Sequence, residues 1–204
     1  MRALCLNCTL KLSPEPSNTA DLAGHVLADL RQRGFETEIV RVTDHRIDPG
    51  VVSEAVTDGD EWPALREKVV AADVLIIATP TWIGQPSSVS KRVLERMDAF
   101  LSETQDDGKT PIAYGKVAGV ITTGNEDGAH HVIGEINAAL NDLGYTLPAQ
   151  NWTYWNKGPG PGSEEWDSTD EKEWTLATGQ AMASNLAAVA TALKAHPIPA
   201  PPGS

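Results

Sequence analysis

Short apolar runs alternate along this chain with stretches whose apolar residues recur at helical spacing. Ala3–Leu6 is the first run, and the opening "MRALCLNC" reads as a strand rather than a leader. Leu22, Ala23, Val26, Leu27 and Leu30 then fall on one face of a helix. Ser17 stands where an N-cap belongs and Gly34 where a C′ residue belongs, so both helix ends are marked. A second strand is predicted over Thr37–Val42. Trp62, Leu65 and Val69 predict a short helix that tolerates Pro63 in its first turn. Val74–Ala78 reads as a third strand, followed by a helix carrying Val89, Val93, Leu94, Met97, Phe100 and Leu101. Lys116–Thr122 is a fourth strand. Val132, Ile136, Leu140 and Leu143 mark a fourth helix closed by Gly144, and a fifth strand is predicted from Tyr145. Met182, Leu186, Val189 and Leu193 mark a closing helix, and the tail "HPIPAPPGS" cannot continue it.

Strands alternating with helices build parallel βαβ units with right-handed crossovers. The central strands are apolar throughout, as a sheet covered on both faces requires. The expected fold is therefore α/β: a flavodoxin-like three-layer sandwich with a five-stranded parallel sheet, order 2-1-3-4-5, and helices on both faces. A single domain over residues 1–195 is expected, with a Trp-, Gly- and Pro-rich insertion at 151–174 and a Pro-rich tail at 196–204. In this topology ligands sit beyond the carboxyl ends of the strands. Three segments occupy that position: "CTLKLSPEPSNTAD", "TPTWIGQPSS" and "TTGNEDGAHH".

The first segment offers hydroxyl, amide and ammonium donors at a helix start, from Thr9, Lys11, Ser17, Asn18 and Thr19. The bare N–H groups of a helix N-terminus favour an anion. Neither G-x-G-x-x-G nor G-x-x-x-x-G-K-[ST] is present, so a terminal phosphate monoester suits this loop better than a pyrophosphate. Ordinary helix capping by Ser17 and Asn18 accounts for the same residues, and both readings stand at this point. In the second segment Trp82 ends an apolar strand beside Gly84, either as the wall of a flat apolar ligand site or as an indole packed on the next helix. The third segment has short polar residues and glycines able to approach a ring closely.

Together these segments resemble the flavodoxin-like NAD(P)H-dependent FMN reductase and quinone reductase families. "TLK…SNT" is similar to the families' S-x-[RK]…[SN]-T loop, with Thr9 and Lys11 at its leading positions. Pro80, Thr81, Trp82, Ile83 and Gly84 are similar to their P-x-[YW]-x-G, followed by the helix "KRVLERMD". The resemblance covers roughly residues 1–147. It implies that Thr9, Lys11, Ser17, Asn18 and Thr19 hold an FMN phosphate. It also implies that Pro80–Gly84 lie along the isoalloxazine, and that Thr123, Gly124 and Asn125 face it. NADPH or NADH would be the electron donor, and a quinone, free flavin or other small molecule the acceptor. Such enzymes are generally homodimers or homotetramers, and a cytoplasmic location is expected.

The formal net charge of −12 argues against nucleic acid as a partner, and no apolar run approaches a membrane span. Cys5 and Cys8 form a C-x-x-C, but the following helix starts some ten residues later and no second pair completes a zinc site; no metal is expected. His130 and His131 open the fourth helix and are weak proton-donor candidates; a solvated helix end is the other reading. The acidic stretch Asp58–Glu61 reads as a solvated face. Trp152, Trp155, Trp166 and Trp174 lie in or beside the insertion, which reads as a lid or binding segment. The leading expectation is an FMN-dependent oxidoreductase in which the cofactor carries the chemistry. A flavodoxin-type electron carrier is the alternative. A receiver-like domain needs a carboxylate where this chain has Thr79 and Pro80.

Overall fold

The structure is a computed structural model that describes residues 1–156 and 169–202, with side chains described to residue 156 and again from 172. The elements run β1 (Arg2–Asn7), α1 (Asn18–Gln32), β2 (Glu36–Arg41), α2 (Trp62–Ala71), β3 (Val74–Trp82) and β4 (Gln85–Pro86). They continue with α3 (Ser88–Met97), β5 (Val117–Gly124), α4 (Ala129–Asp142), β6 (Trp152–Asn156) and α5 (Thr169–Ala195). Five strands pair in parallel in the order β2-β1-β3-β5-β6, the expected topology. The two-residue β4 folds back antiparallel on the tip of β3, pairing Thr81 with Pro86 and Trp82 with Gln85.

Strand alternation divides the core. Leu4, Leu6, Leu75 and Ile77 pack into one apolar cluster with Trp62, Val93, Val132 and Ile136 from α2, α3 and α4. Ala3, Cys5, Val74 and Ile76 pack on the other side with Leu22, Val26, Leu30, Met182 and Leu186 from α1 and α5. The first helix is as its residues predict. Ser17 Oγ accepts from the Ala20 N–H at 3.2 Å, and Gly34 adopts φ +86 just past the C-terminus.

Three expectations are corrected. The fifth strand does not run from Tyr145. Thr146 makes one parallel bridge to Val117, the chain leaves the sheet through Pro148, which has no N–H, and Gln150 turns at φ +45. Asn151 restores contact, its carbonyl accepting from the Val120 N–H at 2.9 Å and its side chain donating to the Ala118 carbonyl at 3.0 Å. Residues 152–156 are thus the edge strand, and the segment 151–174 is not an insertion from its start. Leu101 does not join the face of α3; it lies 62% exposed in the 3-10 turn Asp98–Ser102.

The third correction concerns Asp58–Glu61. Asp60 is buried, its side chain fully enclosed together with that of Arg96, whose Nη1 lies 2.7 Å from the carboxylate. The carboxylate also accepts from the N–H groups of Asp48, Val56 and Trp62. Arg96 in turn donates to the carbonyls of Asp48 and Glu54 and lies over the Trp62 ring. This pair staples the irregular connection between β2 and α2 onto the core. Burial works against the Asp60 charge, but the four donors outweigh it and hold the carboxyl at about 2.

Candidate functional site

The carboxyl ends of β1, β3, β5 and β6 surround an open cleft. From the loop after β1 and the first turn of α1 come Thr9, Leu10, Lys11, Ser17, Asn18 and Thr19; from the second loop Pro80, Thr81 and Trp82; from the third Thr123, Gly124 and Asn125. The tip of β6 adds Trp155. The sequence therefore brought most of its candidates to one place and missed Leu10 and Trp155. Leu10 was legible only as a neighbour of Thr9. Trp155 becomes legible once β6 is placed, because it pairs with Thr123 in register.

Local chemistry fixes each wall. The β1 end is tied to β3 by the Cys8 N–H to the Ala78 carbonyl at 2.7 Å, and to the α3 N-cap by Ser87 Oγ donating to the Cys8 carbonyl at 2.7 Å. Beyond it, the Thr9 N–H donates to Asn7 Oδ1 and the Lys11 N–H to Thr9 Oγ1, each at 3.3 Å. Thr19, in the first turn of α1, shares a 2.6 Å hydrogen bond with Thr123, and Thr81 shares one of 2.9 Å with Thr122. A Cβ on Gly124 would stand 3.0 Å from that of Thr81, so the third loop packs tightly on β3.

Ile83 and Gly84 do not line the cleft. Ile83 holds φ +53, uncommon for a β-branched residue, and is 89% exposed; its N–H donates to Glu126 Oε1 at 2.7 Å. Gly84 at φ +67 lies against Gly128, where a Cβ would come 2.6 Å from Gly84 Cα. The second and third loops are thus joined behind the wall they form. His130 and His131 are also outside the lining. The His130 ring meets Trp152 and Tyr154 edge-on at 5.3 and 5.2 Å, and His131 Nε2 lies 3.0 Å from Gln85 Nε2. Cys5 and Cys8 face opposite sides of the sheet, and burial pushes both thiols up, which leaves no redox pair. Trp174 is exposed and touches Tyr154, whereas Trp166, with the rest of 157–168, lies outside the described residues, and so does that part of the expected lid.

The donor set has a clear bias. Lys11 is the one charged residue of the lining among the described residues; the rest are hydroxyls, amides and apolar groups, and no carboxylate is present. Hydroxyls and an ammonium around the α1 N-terminus suit a phosphate dianion. The two indoles, Trp82 and Trp155, suit a flat aromatic ring. The residues present therefore fit FMN.

A doubly wound parallel sheet with this cleft at its switch point defines a flavodoxin-like flavoprotein. The chain belongs to the family of NADPH-dependent FMN reductases, whose family model matches residues 1–158. FMN is the cofactor of that family. The chain is 38% identical over 201 residues to a divalent metal cation transporter MntH of Mycobacterium bovis, covering 96% of this chain and 29% of that protein. It is 40% identical over 172 residues to the 8-demethyl-8-aminoriboflavin-5'-phosphate synthase of Streptomyces davaonensis, covering 79% of this chain and 66% of that protein. The chain thus spans less than two-thirds of the length of either relative. Among solved structures it is similar to RosB with bound 8-demethyl-8-formylriboflavin-5'-phosphate, with a TM-score of 0.86 and 34% identity over 97% of this chain and 82% of that one. Among the described residues no helix is long and apolar enough to cross a membrane.

Proposed function

We propose that the chain passes electrons from NAD(P)H through FMN bound in this cleft to a quinone, a free flavin or another small acceptor. The observation that carries the reading is the lining itself: among the described residues three loops and one strand tip meet around hydroxyls, one ammonium and two indoles, without a carboxylate. Thr9, Lys11, Ser17, Asn18 and Thr19 would hold the phosphate. Pro80, Thr81, Trp82, Thr123, Gly124, Asn125 and Trp155 would face the ring, with Ile83 and Gly84 setting the shape of the second loop. When bound, FMN supplies the redox chemistry. The protein's part is to bind, orient and shield from water, which requires no side-chain nucleophile or general acid.

Membership in a reductase family supports this reading over a single-electron carrier. FMN and riboflavin affinities, measured by flavin fluorescence, test it directly. FMN bound far more tightly than riboflavin, and bleaching of the bound flavin by NADPH or NADH with turnover on an added quinone, are the expected results. Equal affinity for the two flavins overturns the phosphate assignment.

A second reading has its own support in the 40% identity to an 8-demethyl-8-aminoriboflavin-5'-phosphate synthase. In that case the cleft holds the flavin phosphate as a substrate whose ring is altered. Mass spectrometry of flavin recovered after turnover separates the two. Unchanged FMN supports the reductase, and a modified ring supports the synthase.

Assembly as a homodimer or larger belongs to the same proposal. Leu10, Trp82 and Ile83 are exposed apolar groups in or beside the cleft, and Trp174 is exposed near the β6 edge. Light scattering on sized protein tests this; a monomer with full reductase activity overturns it.

A further inference from the structure

Residues 10–16 belong to no helix or strand, yet they include Lys11, the cation of the cleft. Internally they close only one turn, from the Glu15 N–H to the Leu12 carbonyl at 2.9 Å. Their hydrogen bonds to distant parts of the described chain all run to the end of β2 and the 3-10 turn Val42–Asp44 that follows it. Arg41 Nη1 donates to the Glu15 carbonyl at 2.9 Å and to the Lys11 carbonyl at 3.4 Å. Thr43 Oγ1 donates to the same Lys11 carbonyl at 3.1 Å. Asp44 accepts from the Ser13 N–H at 2.9 Å and from Ser13 Oγ at 2.5 Å.

We propose that Arg41, Thr43 and Asp44 are positioning residues for phosphate recognition: they fix the backbone of Lys11 and Ser13 so that the ammonium is in place before the flavin arrives. None of the three lines the cleft. They act through the loop, and the proposal rests on the reading that the flavin phosphate lies there. The Lys11 backbone is held from both directions. Its N–H is bonded inward to Thr9 Oγ1, and its carbonyl outward to Arg41 and Thr43. A loop ordered in advance loses less conformational entropy on binding, and that saving applies only to the ligand end the loop touches. A guanidinium committed to two carbonyls also leaves Lys11 as the charge available to an anion.

The test compares wild type with Arg41→Ala, Thr43→Val and Asp44→Asn, each altering a group at or near the surface. Two quantities are read: the ratio of FMN to riboflavin affinity, and amide hydrogen exchange of residues 10–16 in flavin-free protein. The expected result is an FMN affinity about tenfold lower, riboflavin affinity unchanged, and faster exchange confined to residues 10–16. Arg41→Lys, which can still bridge the two carbonyls, should recover part of the ratio. Equal loss of both flavins, or an unchanged ratio with slow exchange, overturns the clamp while leaving the phosphate reading intact. A wild-type protein that does not distinguish FMN from riboflavin removes the reading itself.

Discussion

Thr19 and Thr123 stand 104 residues apart in sequence and share a buried 2.6 Å hydrogen bond in the lining of the cleft. The bond ties the first turn of α1 to the end of β5, so the loops after the first and fourth parallel strands are held as one unit. Thr19→Val leaves the Thr123 hydroxyl buried without that partner and should cost about 1–3 kcal/mol. Urea unfolding of Thr19→Val, Thr123→Val and the double variant measures it. The double variant should cost clearly less than the sum of the singles, since each single already breaks the bond.

Trp82 is 45% exposed, so its removal should leave the domain folded. Trp82→Ala should cost about 1–3 kcal/mol through the buried part of the indole and weaken FMN by about tenfold through lost ring contact. Thermal unfolding and flavin titration on the same samples check both halves. An unaltered flavin affinity would return the indole to a packing role.

Lys11 carries the charge of the lining. Lys11→Ala should weaken FMN more at low salt than at high salt, because ions screen the contact over a Debye length of about 10 Å at 0.1 M. Titrations across a salt series, with riboflavin as the control, provide the measurement. The riboflavin curve should be indifferent to the substitution.

Asp60→Ala strands a fully buried Arg96 and frees three backbone N–H groups, so a loss of about 3–5 kcal/mol is expected. Asp60→Asn keeps one acceptor oxygen and should lose less. Denaturant midpoints compare the two, and fluorescence of Trp62 beneath the guanidinium reports the local change.

The same carboxyl sets a response to acid. Its value in the folded protein is about 2, below that of an unfolded Asp, so its contribution is complete above the unfolded pKa. As pH falls, the unfolded chain takes the proton first, and the contribution fades until the folded value is passed. The hydroxyl and N–H of Ser13 hold the Asp44 carboxyl low as well, so it acts in the same direction. Stability should therefore be level from neutral pH to about 4 and decline toward 2. Asp60→Asn should flatten that decline.

Features written in neighbouring residues were legible in the sequence. Ser17, the apolar face of α1 and Gly34 announce one helix, and the three loops follow from the order of strands and helices. Features that need a distant partner were not. Nothing near Asp60 announces that Arg96 will meet it across the core, so an acidic run reads as solvent-facing. The strand at 152–156 is hidden because Pro148 interrupts the approach to the sheet, and because pairing with β5 is a long-range choice. Losing that strand also hid Trp155, whose neighbour in the sheet, Thr123, was already a candidate. His130 read as a solvated helix end or a weak proton donor, yet its ring is engaged by Trp152 and Tyr154 from the strand that was missed.

The register of Trp155 beside Thr123 also sets an order of events during synthesis. A ribosome releases the chain N-terminus first, at roughly 5–20 residues per second. The segment around Lys11 therefore waits on the order of ten seconds before residue 155 emerges to close the far wall. Through that interval the nascent chain has anion-binding groups but no complete ring site. The wall that Trp155 contributes therefore exists only after the last parallel strand has docked on β5.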